Sequence, residues 1–131
     1  KTAEYLKGHD KVAWVQYCSL PGDKYYELAQ KYLPNGSCGV ISFGLKSGAS
    51  SDGGRAAAEA FMKELKLISI VTHVADARTC ILHPASATHR QLSDDQLAAA
   101  GVSPDLMRLS VGIEDVSDIL ADLENALKTV R

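Results

Sequence analysis

The stretch SPDLMRLSVGIEDVSDIL, residues 103–120, contains a strand, a short turn and the beginning of a helix. Its first half alternates, so that Met107 and Leu109 share the apolar face of a strand predicted over residues 105–111, while Arg108 lies on the opposite face. The second half changes to helical spacing. The apolar residues on one side of this helix are Val116, Ile119, Leu120, Leu123, Leu127 and Val130. The segment therefore predicts a sheet with helices on one face and an arginine that projects from the other.

Composition limits the classes of function. The chain has 131 residues, which is enough for one domain with its own core and too few for two. A net charge of −2 with scattered basic residues argues against nucleic-acid binding, and no apolar run reaches the length of a membrane span. Three cysteines without a C-x-x-C pair are typical of reduced thiols. We therefore expect a cytoplasmic protein that binds neither nucleic acid nor membranes.

The order of predicted elements is α-β-α-β-α-β-β-α-β-α. Strands are expected over residues 11–18, 38–46, 68–74, 79–83 and 105–111. The third and fourth strands are only four residues apart, so we expect them to pair antiparallel. Residues 47–54, SGASSDGG, are expected to form a flexible connection rather than a phosphate-binding loop, because the Gly-Lys-Ser/Thr ending is absent. The prediction is an α+β fold, a two-layer sandwich with a mostly antiparallel sheet and helices on one face.

The chain begins inside a helical pattern. The first predicted helix has no N-cap residue before it and stops at Gly8. We therefore expect residues 1–131 to be a single domain excised from a longer chain.

Arg108 has two possible roles at this point. A guanidinium presents a planar fork of donors that binds a carboxylate through two parallel hydrogen bonds. An exposed arginine, or one in a structural salt bridge with an aspartate, fits the same pattern. The residue pattern alone leaves both interpretations open.

Three stretches carry a resemblance to a known family. They are KYLPNGSCGVISFGLKSG (31–48), DARTCILHPASATHRQLS (76–93) and RLSVGIED (108–115). In order and spacing the chain resembles the C-terminal part of the Cys/Met-metabolism enzymes that use pyridoxal phosphate, most closely the O-acetylhomoserine sulfhydrylases, also called homocysteine synthases. The resemblance implies the C-terminal small domain of a fold-type I transferase. It also implies that the parent enzyme makes homocysteine or methionine from O-acetylhomoserine and a sulfur nucleophile.

The resemblance also implies roles for individual residues. Arg108 matches the family arginine that binds the α-carboxylate of the amino-acid substrate. His73 stands where relatives place a polar residue near the same carboxylate, often Asn or Ser, and Thr88 matches a threonine close to this region. A turn-capping hydroxyl is the alternative for Thr88. Ser110 and Glu114 match family positions that packing and helix capping explain.

The family's chemistry requires a lysine in a Ser-x-x-Lys setting, and the sequence contains none. We therefore expect no catalytic residue here, no pyridoxal phosphate bound to this fragment and no activity of the fragment alone. The resemblance places the cofactor in the parent's own N-terminal domain. Excision from that domain would expose the sheet face that carries Arg108, so we expect the fragment to self-associate as a homo-oligomer. His73, His83, His89 and Cys80 lack metal-ligand spacing, so no metal site is expected. The alternative function is a free-standing α+β ligand-binding or interaction module without catalysis.

Overall fold

The computed structural model describes residues 1–46, 52 and 54–130, and the expected connection over residues 47–54 lies mostly outside them. Its helices and strands follow the predicted order. The helices are α1 (Thr2–Gly8), α2 (Tyr26–Tyr32), α3 (Arg55–Glu64), α4 (Asp94–Ala99) and α5 (Val116–Leu127). The strands are β1 (Val12–Gln16), β2 (Val40–Leu45), β3 (Ser69–Ile70), β4 (Cys80–Leu82) and β5 (Leu106–Ser110). The α+β class and the two-layer arrangement are confirmed.

The five strands form one sheet in the order β1-β2-β5-β4-β3. Three of the four strand pairs are antiparallel, with β5 between β2 and β4. Arg108 lies opposite Ser42 of β2 and Leu82 of β4, so these residues share one face of the sheet. Arg108 is therefore placed in the central strand, with a neighbour on each side.

The pairing of β3 with β4 corrects the sequence prediction. The two strands are parallel, with Ser69 opposite Cys80 and Ile70 opposite Ile81. The expected hairpin was wrong because both strands are shorter than the apolar runs suggested, which leaves residues 71–79 as a long connection. This connection leaves the sheet and returns, so the next strand runs in the same direction.

The core lies on the sheet face opposite Arg108. Apolar side chains of β2, β4 and β5 meet α1, α3 and α5 there, and Phe43 packs edge-on against Phe61 with ring centroids 6.1 Å apart. Burial of each such aromatic ring contributes on the order of 2 kcal/mol. The fully buried large side chains include Leu6, Phe43, Leu45, Phe61, Ile81, Met107, Leu109, Ile119, Leu123 and Leu127. Three of the five helices, α1, α3 and α5, therefore pack on the sheet face opposite Arg108.

Helix α2 presents little of its apolar side to the core. Only Ala29 of its apolar residues is buried, while Leu28 and Tyr32 are 53% and 66% exposed. None of its described residues belongs to the core cluster that α1, α3 and α5 form with the sheet.

A buried carboxylate joins the last helix to the entry of β3. Asp122 of α5 is 6% exposed and lies among apolar neighbours. Its oxygens accept backbone N–H groups of Lys66, Leu67 and Ile68 at 2.8, 3.0 and 2.9 Å. One side chain thereby satisfies three backbone donors. Asp122 is not among the apolar residues that predict the buried side of this helix.

The longest described helix, α5, has 12 residues. Among the described residues no helix combines the length and apolar character needed to cross a membrane.

Candidate functional site

The Arg108 guanidinium is held by backbone carbonyls. Its Nη2 donates to the carbonyl oxygen of Thr72 at 2.7 Å and more weakly to that of His73 at 3.4 Å. Its Nε is buried and has no acceptor within the described residues. No carboxylate in the described part of the chain forms an ion pair with Arg108. The structural salt bridge considered from the sequence is therefore not formed in that part, and the positive charge remains available to an anion.

The connection over residues 71–79 carries these carbonyls across the open face of the sheet. It leaves the ladder after the Val71 N–H donates to the carbonyl of Ile81 at 3.2 Å. Its next anchor is the Ala75 N–H, which donates to Ser110 Oγ at 3.0 Å. Ala75 has a φ of 59°, a left-handed backbone conformation that residues other than glycine seldom adopt. The segment is thus tied to β5 at a position where its own backbone conformation is unfavourable.

The end of the same connection is fixed by Glu114. Its two carboxylate oxygens accept the backbone N–H and the hydroxyl of Thr79, both at 2.7 Å. Thr79 Oγ1 also accepts the Gly112 N–H at 2.9 Å. A Cβ on Gly112 would approach the Ala77 carbonyl oxygen to 2.4 Å, so this close approach requires glycine. The helix-capping role expected for Glu114 is wrong, because the N-cap of α5 is Asp115.

These hydrogen bonds determine the ionisation of Glu114. Desolvation raises its pKa, but the hydrogen bonds from Thr79 outweigh desolvation and hold the pKa below its usual range. The carboxylate is therefore charged at neutral pH and acts as an acceptor only.

The His73 imidazole faces solvent and pairs within its own loop. Its Nδ1 lies 3.4 Å from Asp76 Oδ2, and the side chain is 61% exposed. Asp76 also accepts the Arg78 backbone N–H at 3.0 Å and its guanidinium at 3.3 Å. The backbone N–H and then the guanidinium of Arg78 lower the pKa of Asp76 to about 2. Asp76 is therefore a negative group beside the site, and its oxygens are already paired with Arg78 and His73.

Thr88 is not brought into contact with Arg108 or His73. It lies in the turn after β4, and its hydroxyl is 2.9 Å from His89 Nδ1. His83, which follows β4 directly, is buried between Ser86 Oγ and the carbonyl of Pro104. Its Nε2 faces a carbonyl at 2.7 Å and must donate, which identifies the protonated nitrogen.

Trp14 covers the neighbouring part of the same sheet face. Its indole Nε1 donates to Asp105 Oδ2 at 2.8 Å, and both groups lie over Gly44. Trp14 and Leu106 line a shallow cavity there together with residues of the loop after α4. The open face therefore offers an apolar surface beside the Arg108 cation.

The donor set favours binding of a small carboxylate and does not suit pyridoxal phosphate. Arg108 provides a free positive charge with an unused donor, at a half-buried position. The donor here is a guanidinium, which is not a Schiff-base-forming amine, and the sequence has no lysine in a Ser-x-x-Lys setting. This group of residues therefore supplies an anion contact without an amine that could carry the cofactor.

The sequence pattern drew attention to Arg108, and the family resemblance put His73 near the same ligand, but neither indicated how the two residues are connected. The contacts come from backbone carbonyls, which no side-chain pattern reveals. The sequence had suggested only packing for Ser110, and it gave no indication that Ala75 has a positive φ.

Comparisons with known proteins agree on one family. The family model described as "Cys/Met metabolism PLP-dependent enzyme" matches residues 1–128. O-acetyl-L-homoserine sulfhydrylase 1 of Thermus thermophilus is 47% identical over 125 residues, which cover 95% of this chain and 28% of that protein. O-acetyl-L-homoserine sulfhydrylase of Leptospira meyeri is 43% identical over 131 residues, covering 99% of this chain and 28% of that protein.

A solved structure has the same fold. The putative O-acetylhomoserine (thiol)-lyase of Campylobacter jejuni, solved with N'-pyridoxyl-lysine-5'-monophosphate, superposes with a TM-score of 0.84 at 32% identity. The match covers 96% of this chain and 28% of that one. The chain thus spans little more than a quarter of the length of these relatives. Because the family model covers nearly all 131 residues, the chain belongs to the Cys/Met metabolism PLP-dependent enzymes.

Proposed function

We propose that this chain is the C-terminal small domain of an O-acetylhomoserine sulfhydrylase, in which Arg108 binds the α-carboxylate of the amino-acid substrate. The parent enzyme would make homocysteine or methionine from O-acetylhomoserine and a sulfur nucleophile. The observation that carries the proposal is the Arg108 guanidinium, which is held by two backbone carbonyls and keeps an unpaired Nε.

The surroundings of Arg108 support a carboxylate ligand. Carbonyl acceptors orient a guanidinium without neutralising it, so its charge is retained for an anion. A planar fork with one edge anchored leaves its remaining donors in a fixed direction, which suits the two oxygens of a carboxylate. His73 contributes its carbonyl oxygen to this anchoring, and its imidazole is exposed beside Asp76. Thr88 remains a predicted contact, and its hydroxyl now lies beside His89.

Pyridoxal phosphate would supply the electron-withdrawing chemistry of the parent enzyme and would be held by residues outside this chain. Such a division fits the lack of a Ser-x-x-Lys lysine in the sequence. The role of this domain would be to fix one end of the substrate, which orients its reacting carbons toward the rest of the protein. We propose further that the isolated domain self-associates as a homo-oligomer and that the parent enzyme is cytoplasmic.

Steady-state kinetics of the complete enzyme test this function. Arg108→Ala removes a charge-assisted contact worth about 1.5–3 kcal/mol. The kcat/KM for O-acetylhomoserine should therefore fall roughly ten- to a hundredfold. Arg108→Lys keeps the charge but loses the fork, and it should lie between the alanine variant and the wild type.

Arg90→Ala is the matched control. Arg90 is exposed and makes no hydrogen bond within the described residues, so its removal should leave kcat/KM unchanged. Unchanged kinetics in Arg108→Ala, or an equal loss in both alanine variants, would contradict the proposed role.

A further inference from the structure

Ser110 and Ala75 form the second tie of the loop that holds Arg108. Ser110 is 2% exposed and stands two residues after Arg108 in β5, on the same sheet face. Its hydroxyl oxygen accepts the Ala75 N–H at 3.0 Å. The two carbonyls that hold the guanidinium belong to Thr72 and His73, just before this anchor. The loop is therefore bound at two neighbouring points of β5, Arg108 and Ser110, which are two residues apart.

The conformation of Ala75 indicates that contacts around it constrain the loop. Its φ of 59° is disfavoured for a residue with a Cβ, and such conformations persist where surrounding contacts impose them. The Ser110 hydrogen bond is the contact made by the Ala75 backbone N–H itself. Without it, we expect Ala75 to return to φ < 0, which would redirect the chain on both sides and move the preceding carbonyls.

We propose that Ser110 is a positioning residue for substrate binding, acting through Ala75 on the carbonyls that orient Arg108. This inference rests on the proposed function of Arg108 and extends it to a residue that touches neither substrate nor cofactor. When the Ser110 hydroxyl is lost, the Arg108 charge stays but its direction is no longer fixed. The affinity for an α-carboxylate should therefore fall while the reaction of bound substrate changes little.

The test uses the complete enzyme and separates KM from kcat. Ser110→Ala should raise the KM for O-acetylhomoserine about three- to tenfold, the range expected from loss of one hydrogen bond. Its kcat should stay within about twofold of wild type. Ser110→Thr retains the hydroxyl and should restore the KM. Ser69→Ala is the control, because Ser69 lies at the start of β3 and makes no side-chain hydrogen bond within the described residues.

A second substitution checks the mechanism through Ala75. Glycine adopts positive φ without a steric penalty. Ala75→Gly placed in the Ser110→Ala background should therefore recover part of the lost affinity. No recovery, or a fall in kcat equal to the rise in KM, would overturn the inference.

The double variant Ser110→Ala with Arg108→Ala distinguishes this inference from the proposed function. If Ser110 acts through Arg108, its removal adds no further rise in KM once Arg108 is gone. Fully additive effects would overturn the positioning role while leaving the Arg108 assignment intact. Unchanged kcat and KM in Arg108→Ala alone would instead remove the proposed function and, with it, this inference.

Discussion

The buried Asp122 carboxylate gives the most direct prediction about stability. Asp122→Ala removes the acceptor of three backbone N–H groups, those of Lys66, Leu67 and Ile68. Ile68 is 3% exposed, so its N–H cannot find water and costs about 1–3 kcal/mol when unpaired. Lys66 and Leu67 are exposed, so water can bind their N–H groups, and the remaining cost is about 0.5 kcal/mol for each. The free energy of unfolding should therefore fall by about 2–4 kcal/mol.

Asp122→Asn should cost less, because one oxygen remains. That oxygen can keep the bonds to Leu67 and Ile68, which share Oδ2, while the amide NH2 faces the Lys66 N–H. Urea unfolding followed by Trp14 fluorescence measures both variants, and Asp118→Ala, an exposed aspartate of the same helix, is the control. An alanine variant within about 0.5 kcal/mol of wild type would refute the reasoning, since that is the range of ordinary surface substitutions.

Two further predictions follow from close contacts on the sheet face and in the adjoining loop. Gly44→Ala should displace the indole, because the added Cβ would lie 2.1 Å from Asp105 Oδ2 and 2.2 Å from Trp14 Nε1. We expect a red-shifted tryptophan emission and a loss of about 1–3 kcal/mol in urea unfolding. For Glu114, the folded pKa is lowered, so its contribution to stability is present above the unfolded pKa of about 4.3. That contribution should be lost as the pH falls through the folded pKa, and Glu114→Gln should remove this part of the acid dependence.

Each of these predictions has a control. A Cβ at Gly8, near the end of α1, meets nothing within 4 Å, so Gly8→Ala should leave the emission unchanged. An unshifted emission in Gly44→Ala would mean that the indole does not cover that glycine. For Glu114, stability is measured by urea unfolding between about pH 3 and 7. Parallel stability curves for wild type and Glu114→Gln across that window would show that the carboxylate charge does not stabilise the loop.

Side-chain patterns predicted the elements well where one face is clearly apolar. The alternation around Met107 and Leu109 placed β5 and the face of Arg108. The length of β3 could not be predicted, because the apolar run continues past Ile70 into a loop whose path depends on Ser110 and Glu114.

The sequence could indicate the arginine of the candidate site, but it could not indicate the groups that hold this arginine in place. An arginine in the middle of an apolar strand is visible in the sequence, and the family resemblance gave it a role. Its contacts with the Thr72 and His73 carbonyls depend on the path of the backbone. Every residue type has a carbonyl, so the sequence does not reveal these contacts. Asp122 could have been noticed as a charged residue directly beside Leu123 on the apolar side of α5.

The most direct measurement compares a substrate with and without its carboxylate charge. The complete enzyme is assayed with O-acetylhomoserine and with its α-carboxamide, in the wild type and in Arg108→Ala. If Arg108 binds the carboxylate, the wild type should favour the acid in kcat/KM by at least about tenfold, and this preference should fall toward one in the variant. A preference that stays the same after Arg108 is removed would contradict the assignment of Arg108 as the carboxylate-binding residue.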